Sequence, residues 1–135
     1  MTEKQYIILV VDDEESSRIG LSKILAKSGY EVITAEDGVQ AIEQLKNRTC
    51  DLVITDFKMP KMDGIQLLRK IKEFSPNIGV IIVTAYGEVD SYLEAMNLGA
   101  FEYLNKPIKV DELKKVISKV LEDLGKKEKS PESYT

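Results

Sequence analysis

The sequence predicts an α/β fold, a three-layer sandwich in which a parallel β-sheet lies between two layers of helices. Short runs, most of them rich in Val and Ile, alternate with amphipathic stretches along the chain. Most runs lack a strict polar–apolar alternation, as expected for strands that are covered on both faces. Turn signals separate the segments, and right-handed crossovers between alternating strands and helices produce a parallel sheet.

Five apolar runs are predicted to be strands, and in chain order they are residues 6–11, 31–35, 52–55, 79–84 and 101–105. The five segments that follow these runs carry apolar residues at helical spacing, which predicts five helices. In chain order, the apolar positions that share a helix face are Leu21, Ile24 and Leu25; Ala41, Ile42 and Leu45; Leu67, Leu68 and Ile71; Val89, Leu93 and Met96; and Val110, Leu113, Ile117, Val120, Leu121 and Leu124.

One domain is expected, because a chain of 135 residues is long enough to bury a core without disulfide or metal staples. We predict that this domain covers residues 1–124. The remaining segment, "GKKEKSPESYT", is polar and has no apolar periodicity. Residues 125–135 are therefore predicted to be a frayed tail or a linker remnant.

The composition limits the possible functions. The formal net charge of -4 argues against a general affinity for nucleic acid or for an anionic membrane surface. The one cysteine, Cys50, fits a reducing compartment, and no stretch approaches membrane-spanning length, so a cytoplasmic location is expected. The sequence contains no histidine, which excludes Ser-His-Asp and Cys-His catalysis and any zinc site that needs imidazole. Divalent metal chemistry would have to use oxygen ligands, which favours magnesium, manganese or calcium.

Polar residues stand at the carboxyl ends of four predicted strands: Asp12 and Asp13, then Asp56, then Thr84, then Lys106. In a parallel sheet these ends meet at one edge, where ligands bind. Three crowded carboxylates repel one another unless a cation lies among them, and oxygen ligands suit magnesium. With the Lys106 ammonium and the Thr84 hydroxyl added, the set of groups is suited to bind a phosphoryl group. One carboxylate would then be either a metal ligand or a nucleophile that attacks phosphorus to give an acyl phosphate.

Each of these residues also has a simpler explanation. The acidic run from Asp12 to Glu15 could stabilise the N-terminus of the next helix. Asp56 could be a turn residue, Thr84 a β-branched strand residue and Lys106 a surface charge. Their common position at one predicted edge favours a shared site over four separate explanations.

The segments "ILVVDDEESSR", "DLVITDFKMPKMDGIQLL", "VIIVTAYG" and "GAFEYLNKP" resemble the receiver domain of two-component response regulators, over nearly all of residues 4–124. The resemblance implies a flavodoxin-like (βα)5 fold with the strand order 2-1-3-4-5. The stretch "TAYGEVDSYLEAMNLGAFEYLNKP" looks most like the nitrogen-regulation class, whose receivers usually precede an ATPase domain.

The resemblance also implies residue roles around a Mg²⁺ ion, with Mn²⁺ as a possible substitute. Asp56 corresponds to the phosphoacceptor and to one of the metal ligands. Asp13 is expected to coordinate the metal directly, Asp12 mainly through water, and Lys58 through its backbone carbonyl. The loop after the acceptor matches the family at Met59, Pro60 and Gly64.

Further roles are implied on the other side of the site. Thr84 and Lys106 would contact phosphoryl oxygens. Tyr103 matches the switch aromatic, which in the family turns inward when the threonine moves toward the phosphoryl group. The Lys106–Pro107 peptide bond is expected to be cis. Ile108 stands where the family often has phenylalanine.

The function implied is a signalling switch that accepts a phosphoryl group and is an enzyme only toward its own phosphorylation and dephosphorylation. The implied partners are a sensor histidine kinase or phosphotransfer protein, and a downstream protein or second copy that binds the face formed by the fourth helix, fifth strand and fifth helix. Alternatives are a pseudo-receiver used only for interaction, a haloacid-dehalogenase-like phosphatase, and a flavin carrier. The phosphatases carry D-x-D after the first strand, whereas this chain reads "VDDEE", and an acidic run would repel a flavin phosphate.

Overall fold

The protein forms a five-stranded parallel sheet with helices on both faces. The structure, a computed structural model, describes residues 5–85 and 89–133. The strands are β1 (Ile7–Val11), β2 (Glu31–Ala35), β3 (Leu52–Asp56), β4 (Gly79–Thr84) and β5 (Glu102–Asn105). The helices are α1 (Glu15–Lys27), α2 (Gly38–Asn47), α3 (Gly64–Phe74), α4 (Val89–Asn97) and α5 (Val110–Ser133). The predicted alternation of strands and helices is confirmed.

The strand order is β2-β1-β3-β4-β5, with every neighbouring pair parallel. The predicted order 2-1-3-4-5 is therefore confirmed. Within the sheet, Val11 lies beside Thr55. The residues that follow these two, Asp12 and Asp56, consequently leave neighbouring strands at the same edge. Thr84, at the end of β4, lies beside Asn105 of β5.

Two apolar cores lie on the two faces of the sheet, because successive strand residues point to opposite sides. Leu9 and Val11 face the core that also contains the buried residues of α2, α3 and α4. Ile8 and Val10 face the core that contains Leu25 of α1 and the buried residues of α5. Burial on both faces explains the continuous apolar runs in the central strands.

Helix α5 extends further than the sequence predicted. Its backbone is helical to Ser133, whereas residues from 125 onward were expected to be a frayed tail. The added segment is rich in Lys and Glu, which are good helix formers, and it continues a helix that is already formed. Residues 134 and 135 lie outside the described part of the chain. The assignment of residues 125–135 to a tail outside the domain stays a prediction.

No helix in the described part of the chain combines the length and the apolar character needed to cross a membrane.

Candidate functional site

Three carboxylates meet at the carboxyl edge of the central strands. Asp12, Asp13 and Asp56 each offer an oxygen atom, and these atoms all lie within 4.8 Å of one another. Asp12 is 7% exposed, Asp56 is partly buried and Asp13 is exposed. Among the residues that the structure describes, this is the one group of acidic side chains close enough to share a metal ion.

The Lys106 ammonium lies between two of these carboxylates. Its Nζ is 3.6 Å from Oδ2 of Asp12 and 3.6 Å from Oδ2 of Asp56. Residues far apart in the sequence meet here because the parallel strands end at the same edge of the sheet. The backbone N–H of Lys106 also donates to the carbonyl of Thr84 at 2.8 Å. The Lys106–Pro107 peptide bond is cis, the conformation expected from the sequence.

The charges around Asp56 do not balance. Burial raises the pKa of the Asp56 carboxyl most strongly, and the nearby Asp12 and Asp13 carboxylates raise it further. The Lys106 ammonium and the backbone N–H of Phe57 act in the opposite direction but leave the net pKa above its usual range. One ammonium for three carboxylates leaves a site of excess negative charge, which a divalent cation would neutralise.

The acidic run divides into two parts at the start of α1. Asp12 belongs to the site: its backbone N–H donates to the carbonyl of Ala35 at 3.2 Å, and its Oδ1 accepts from the N–H of Glu14 at 3.0 Å. Glu14 is the N-cap residue of α1, and Glu15 lies in the first turn. The two explanations of the acidic run therefore apply to different residues. Asp12 and Asp13 belong to the carboxylate cluster, whereas Glu14 and Glu15 lie at the start of α1.

The Glu14 carboxylate is held by the helix that it precedes. The hydroxyls of Ser16 and Ser17 donate to its Oε1 at 2.9 and 3.1 Å. These hydrogen bonds lower the pKa of Glu14. This side chain is thus engaged by the start of the helix rather than by the carboxylate cluster.

The loop after Asp56 is closely packed. The N–H of Phe57 donates to the carbonyl of Val83 at 2.9 Å, and the N–H of Gly64 donates back to the carbonyl of Phe57 at 2.7 Å. A Cβ atom at position 64 would lie 2.7 Å from the Asp56 carbonyl oxygen, so this close approach requires glycine. Lys58 is exposed in this loop, and its carbonyl stays a predicted metal ligand.

Asp63 starts helix α3 directly after that loop. Its carboxylate accepts from the N–H of Gln66 at 2.8 Å, and the Gln66 side chain accepts in return from the N–H of Asp63 at 2.9 Å. This reciprocal pair is a capping box. It fixes the far end of the loop that begins at Asp56.

Thr84 and Tyr103 lie on the last two strands of the sheet, and the Tyr103 ring contacts helix α4. Thr84 is fully buried at the end of β4, and Tyr103 is 8% exposed. The Tyr103 ring packs in the core on the α3 and α4 side of the sheet. Its centroid lies 5.8 Å from that of Tyr92 at an interplanar angle of 90°, an edge-to-face contact. The Tyr103 ring is thus inward, and a movement between two ring positions stays a prediction.

A cavity of about 280 Å³ opens beside the acidic cluster, between α1 and α5. Its walls are mainly apolar, and Asp12, Asp56 and Lys106 line part of it. The sequence did not indicate this cavity, because its lining comes from five separate segments of the chain.

Arg18 is a second feature that sequence reasoning missed. Its Nη1 donates to the backbone carbonyl of Asp12 at 2.9 Å. The residue closes the segment "ILVVDDEESSR", so its position in that segment was the available signal.

The donor set fits a hard divalent cation. All three side chains offer carboxylate oxygens, and the sequence has no histidine to add a nitrogen ligand. Oxygen donors of this kind suit Mg²⁺, Mn²⁺ or Ca²⁺ rather than zinc.

Comparison with known proteins identifies the family. Residues 8–118 match the family described as the response regulator receiver domain. The chain belongs to this family. The motif "VIIVTAYG" that contributes to the resemblance ends in Tyr86 and Gly87, which lie outside the described residues.

Relatives of two architectures resemble this receiver domain. Sporulation initiation phosphotransferase F of Bacillus subtilis is 42% identical over 90% of this chain and 95% of that protein. The transcriptional regulatory protein ZraR of Klebsiella oxytoca is 44% identical over 90% of this chain but only 27% of that protein. The DNA-binding transcriptional regulator NtrC of Escherichia coli is 39% identical over 85% of this chain and 24% of that protein. The chain thus spans about a quarter of the length of two of these relatives.

Solved structures agree with the fold. A response regulator receiver domain from Clostridium thermocellum has a TM-score of 0.84 at 38% identity, over 87% of this chain and 95% of that one. The beryllofluoride-activated NtrC4 receiver domain dimer has a TM-score of 0.83 at 37% identity, over 87% of this chain and 98% of that one. The expected similarity to the nitrogen-regulation class is confirmed.

Proposed function

We propose that this receiver domain is a phosphorylation-activated switch of a two-component system and that Asp56 accepts the phosphoryl group. One observation carries the proposal: three carboxylates converge within 4.8 Å, and one ammonium lies 3.6 Å from both Asp12 and Asp56. Family membership supports the assignment, because the residues expected at each strand end are those that meet at this edge.

Asp12, Asp13 and Asp56 would hold the divalent cation, together with the backbone carbonyl of Lys58. When bound, Mg²⁺ neutralises the carboxylates and the charge that develops on the phosphoryl oxygens. Asp12 lies deepest in the site and already accepts from the N–H of Glu14. Asp13 is exposed, and this supports a direct contact with an ion that enters from solvent.

The Asp56 carboxylate is the nucleophile in this proposal. One of its oxygens attacks phosphorus, the bond between phosphorus and the donor's imidazole nitrogen breaks, and an acyl phosphate forms. The Lys106 ammonium, held beside Asp56, would then pair with a phosphoryl oxygen. The Thr84 hydroxyl would contact another oxygen from the end of β4.

The output surface is proposed to be the face built from α4, β5 and α5. Thr84 leads toward α4, and the Tyr103 ring lies between the sheet and Tyr92 of that helix. Val89, Tyr92 and Leu93 are exposed large apolar side chains at helical spacing on α4. An apolar stripe at the end of the switch path supports binding of a downstream protein or a second copy of the chain.

The phosphoryl donor is proposed to be a sensor histidine kinase or a phosphotransfer protein. The NtrC4 receiver is a dimer in its beryllofluoride-activated structure, which makes self-association one form of the output.

The net charge of -4 supports protein partners rather than direct nucleic acid or membrane binding by this domain. The proposal places the domain in the cytoplasm, and its single cysteine is compatible with that compartment.

Phosphorylation from a small donor tests the function directly. Acetyl phosphate with Mg²⁺ should add one phosphoryl mass to the wild type, and Asp56→Asn should gain none. Asp63→Asn is a matched control, since it makes the same chemical change at the far end of the same loop and retains a capping side chain. It should gain mass like the wild type. An unmodified wild type would favour a pseudo-receiver, and labelling of Asp56→Asn or full labelling with excess chelator would contradict the assigned site.

A further inference from the structure

We propose that Arg18 is a positioning residue of the phosphorylation site, which acts by fixing the peptide bond between Asp12 and Asp13 and so directs the Asp13 carboxylate toward the metal. This inference rests on the proposed function, because it assigns a role within the same metal site. The role is carried by a contact to the backbone rather than to the reacting groups.

The contact is a hydrogen bond of ordinary length and is partly buried. Nη1 of Arg18 donates to the carbonyl oxygen of Asp12 at 2.9 Å. The Arg18 side chain is 13% exposed, although it carries a full charge and starts from the second turn of α1. A largely covered guanidinium that donates to a carbonyl is localised, because its planar fork has few alternative arrangements.

The other end of Arg18 is tied to the loop after β2. Nη2 lies 3.7 Å from Oε1 of Glu36. Glu36 is itself held, since its backbone N–H donates to the side chain of Gln40 at 3.0 Å. Gln40 is in turn fixed at the start of α2, where its N–H donates to the carboxylate of Asp37 at 2.8 Å. Arg18 therefore connects the loop of the metal site to the start of a second helix.

Asp13 depends on the Arg18 hydrogen bond more than Asp12 does. Asp12 is held through its own N–H, which donates to Ala35, and through its carboxylate, which accepts from Glu14. The Asp13 carboxylate is exposed, and no hydrogen bond to it is found among the described residues. Its direction depends on the backbone before it, and the oxygen of that peptide unit is the atom that Arg18 holds.

Charge and positioning predict opposite effects of removing Arg18. A cation beside a metal site repels the metal, so a purely electrostatic Arg18 would weaken binding, and its removal would strengthen it. A positioning Arg18 strengthens binding, and its removal would weaken it. Groups outside the ligand shell that orient ligands typically change metal affinity by about 10- to 100-fold when they are removed. The sign of the change therefore separates the two roles.

A Mg²⁺ titration followed by amide NMR tests the inference without phosphorylation. Arg18→Met should raise the Mg²⁺ dissociation constant by about tenfold, at the low end of the range for such groups. Arg69→Met is the matched control, since Arg69 also pairs with a glutamate, Glu94, but both side chains are exposed and lie on α3 and α4. Its dissociation constant should equal that of the wild type. An unchanged or tighter affinity in Arg18→Met would overturn the inference.

A double-mutant cycle tests whether Arg18 acts through Asp13. In an Asp13→Asn background, adding Arg18→Met should change Mg²⁺ affinity by less than about twofold, because the group that Arg18 directs is already lost. A further tenfold loss there would contradict the route through Asp13. If Arg18→Met does not fold, Arg18→Lys takes its place in the cycle, since it keeps the charge but loses the fork. With Arg18→Lys, an affinity equal to that of the wild type overturns the inference.

These outcomes are distinguishable from failure of the proposed function. If the wild type binds Mg²⁺ and is phosphorylated on Asp56 while Arg18→Met binds Mg²⁺ normally, only the role of Arg18 is wrong. If the wild type binds no Mg²⁺, both the metal site and the inference that rests on it are wrong.

Discussion

Asp56 is partly buried beside two other carboxylates, and its surroundings oppose its negative charge. Burial is the main cause of its raised pKa, and the carboxylates of Asp12 and Asp13 add to it. Lys106 offsets part of this effect from 3.6 Å. A carboxylate kept in such a site is poorly stabilised until a cation arrives, and this is expected where stability is given up for function.

The raised pKa of Asp56 has a consequence for stability. The folded protein binds this proton more tightly than the unfolded chain does, so the favourable contribution of the neutral carboxyl is present below the unfolded pKa. It is lost as the pH rises through the folded pKa. Asp56→Asn should therefore raise the melting temperature at neutral pH without metal.

Differential scanning calorimetry at pH 7 with chelator measures this change in melting temperature. Mg²⁺ should reduce the difference in melting temperature between Asp56→Asn and the wild type, because it stabilises the wild type by binding the folded state. Asp63→Asn should leave the melting temperature unchanged. A lower melting temperature for Asp56→Asn would mean that the carboxylate stabilises the fold.

The two neighbouring aspartates should differ in their effects. Asp13→Ala should weaken Mg²⁺ binding more than Asp12→Ala, because it removes a direct ligand rather than a contact through water. Asp12→Ala should instead cost more folding stability, about 1 kcal/mol, since its carboxylate accepts from the N–H of Glu14. Metal titration of both variants ranks their Mg²⁺ affinities, and urea denaturation ranks their folding stabilities. Equal Mg²⁺ affinities, or the reverse order, would count against these roles.

At the scale of elements, the segment between β3 and α3 is constrained at both ends. Hydrogen bonds join Phe57 to Val83 and Gly64 to Phe57, and the capping box at Asp63 fixes the start of the helix. Lys61 lies within this loop with φ of 70°, a conformation that is unfavourable for residues other than glycine. Such a loop keeps the backbone around Asp56 in one arrangement.

The close approach of Gly64 to this loop predicts a selective effect. Gly64→Ala should displace the backbone at Asp56, because the new Cβ would meet its carbonyl oxygen at 2.7 Å. We expect a loss of about 2 kcal/mol in stability and at least a tenfold slower phosphorylation by acetyl phosphate. Gly20→Ala is the control, since a Cβ there would meet no described atom within 4 Å beyond its chain neighbours and its own helix backbone, and alanine favours the interior of α1. A Gly64→Ala variant with normal rate and stability would contradict this packing argument.

At the scale of the whole molecule, the sequence predicted the strands to within one residue at each end. Val and Ile runs buried on both faces are distinctive, and the polar residues after them mark the functional edge. The end of α5 was missed because a charged segment without an apolar stripe gives no helical periodicity. The contacts of Arg18 with Asp12 and of Tyr92 with Tyr103 were missed because they depend on side-chain directions.

The proposed path from the site to the surface also belongs to the whole molecule. Thr84 and Lys106 stand at the site, and the segments that they begin lead to α4 and α5. Tyr103 joins the buried core to Tyr92 on the exposed side of α4. A change from about 1% to about 50% active needs only ~2.7 kcal/mol of differential stabilisation, which a few charge-assisted contacts can supply.

Amide NMR of the wild type and of Asp56→Asn, with Mg²⁺ and with or without beryllofluoride, tests the switch most directly. In the wild type, we expect shifts at the ends of β1, β3 and β4 and also through residues 90–110, which contain most of α4 and all of β5. Asp56→Asn should show none of the beryllofluoride-dependent shifts. Shifts confined to the loops around Asp12, Asp56 and Thr84 would leave a phosphorylation site without a switch, and identical shifts in Asp56→Asn would contradict the site as well.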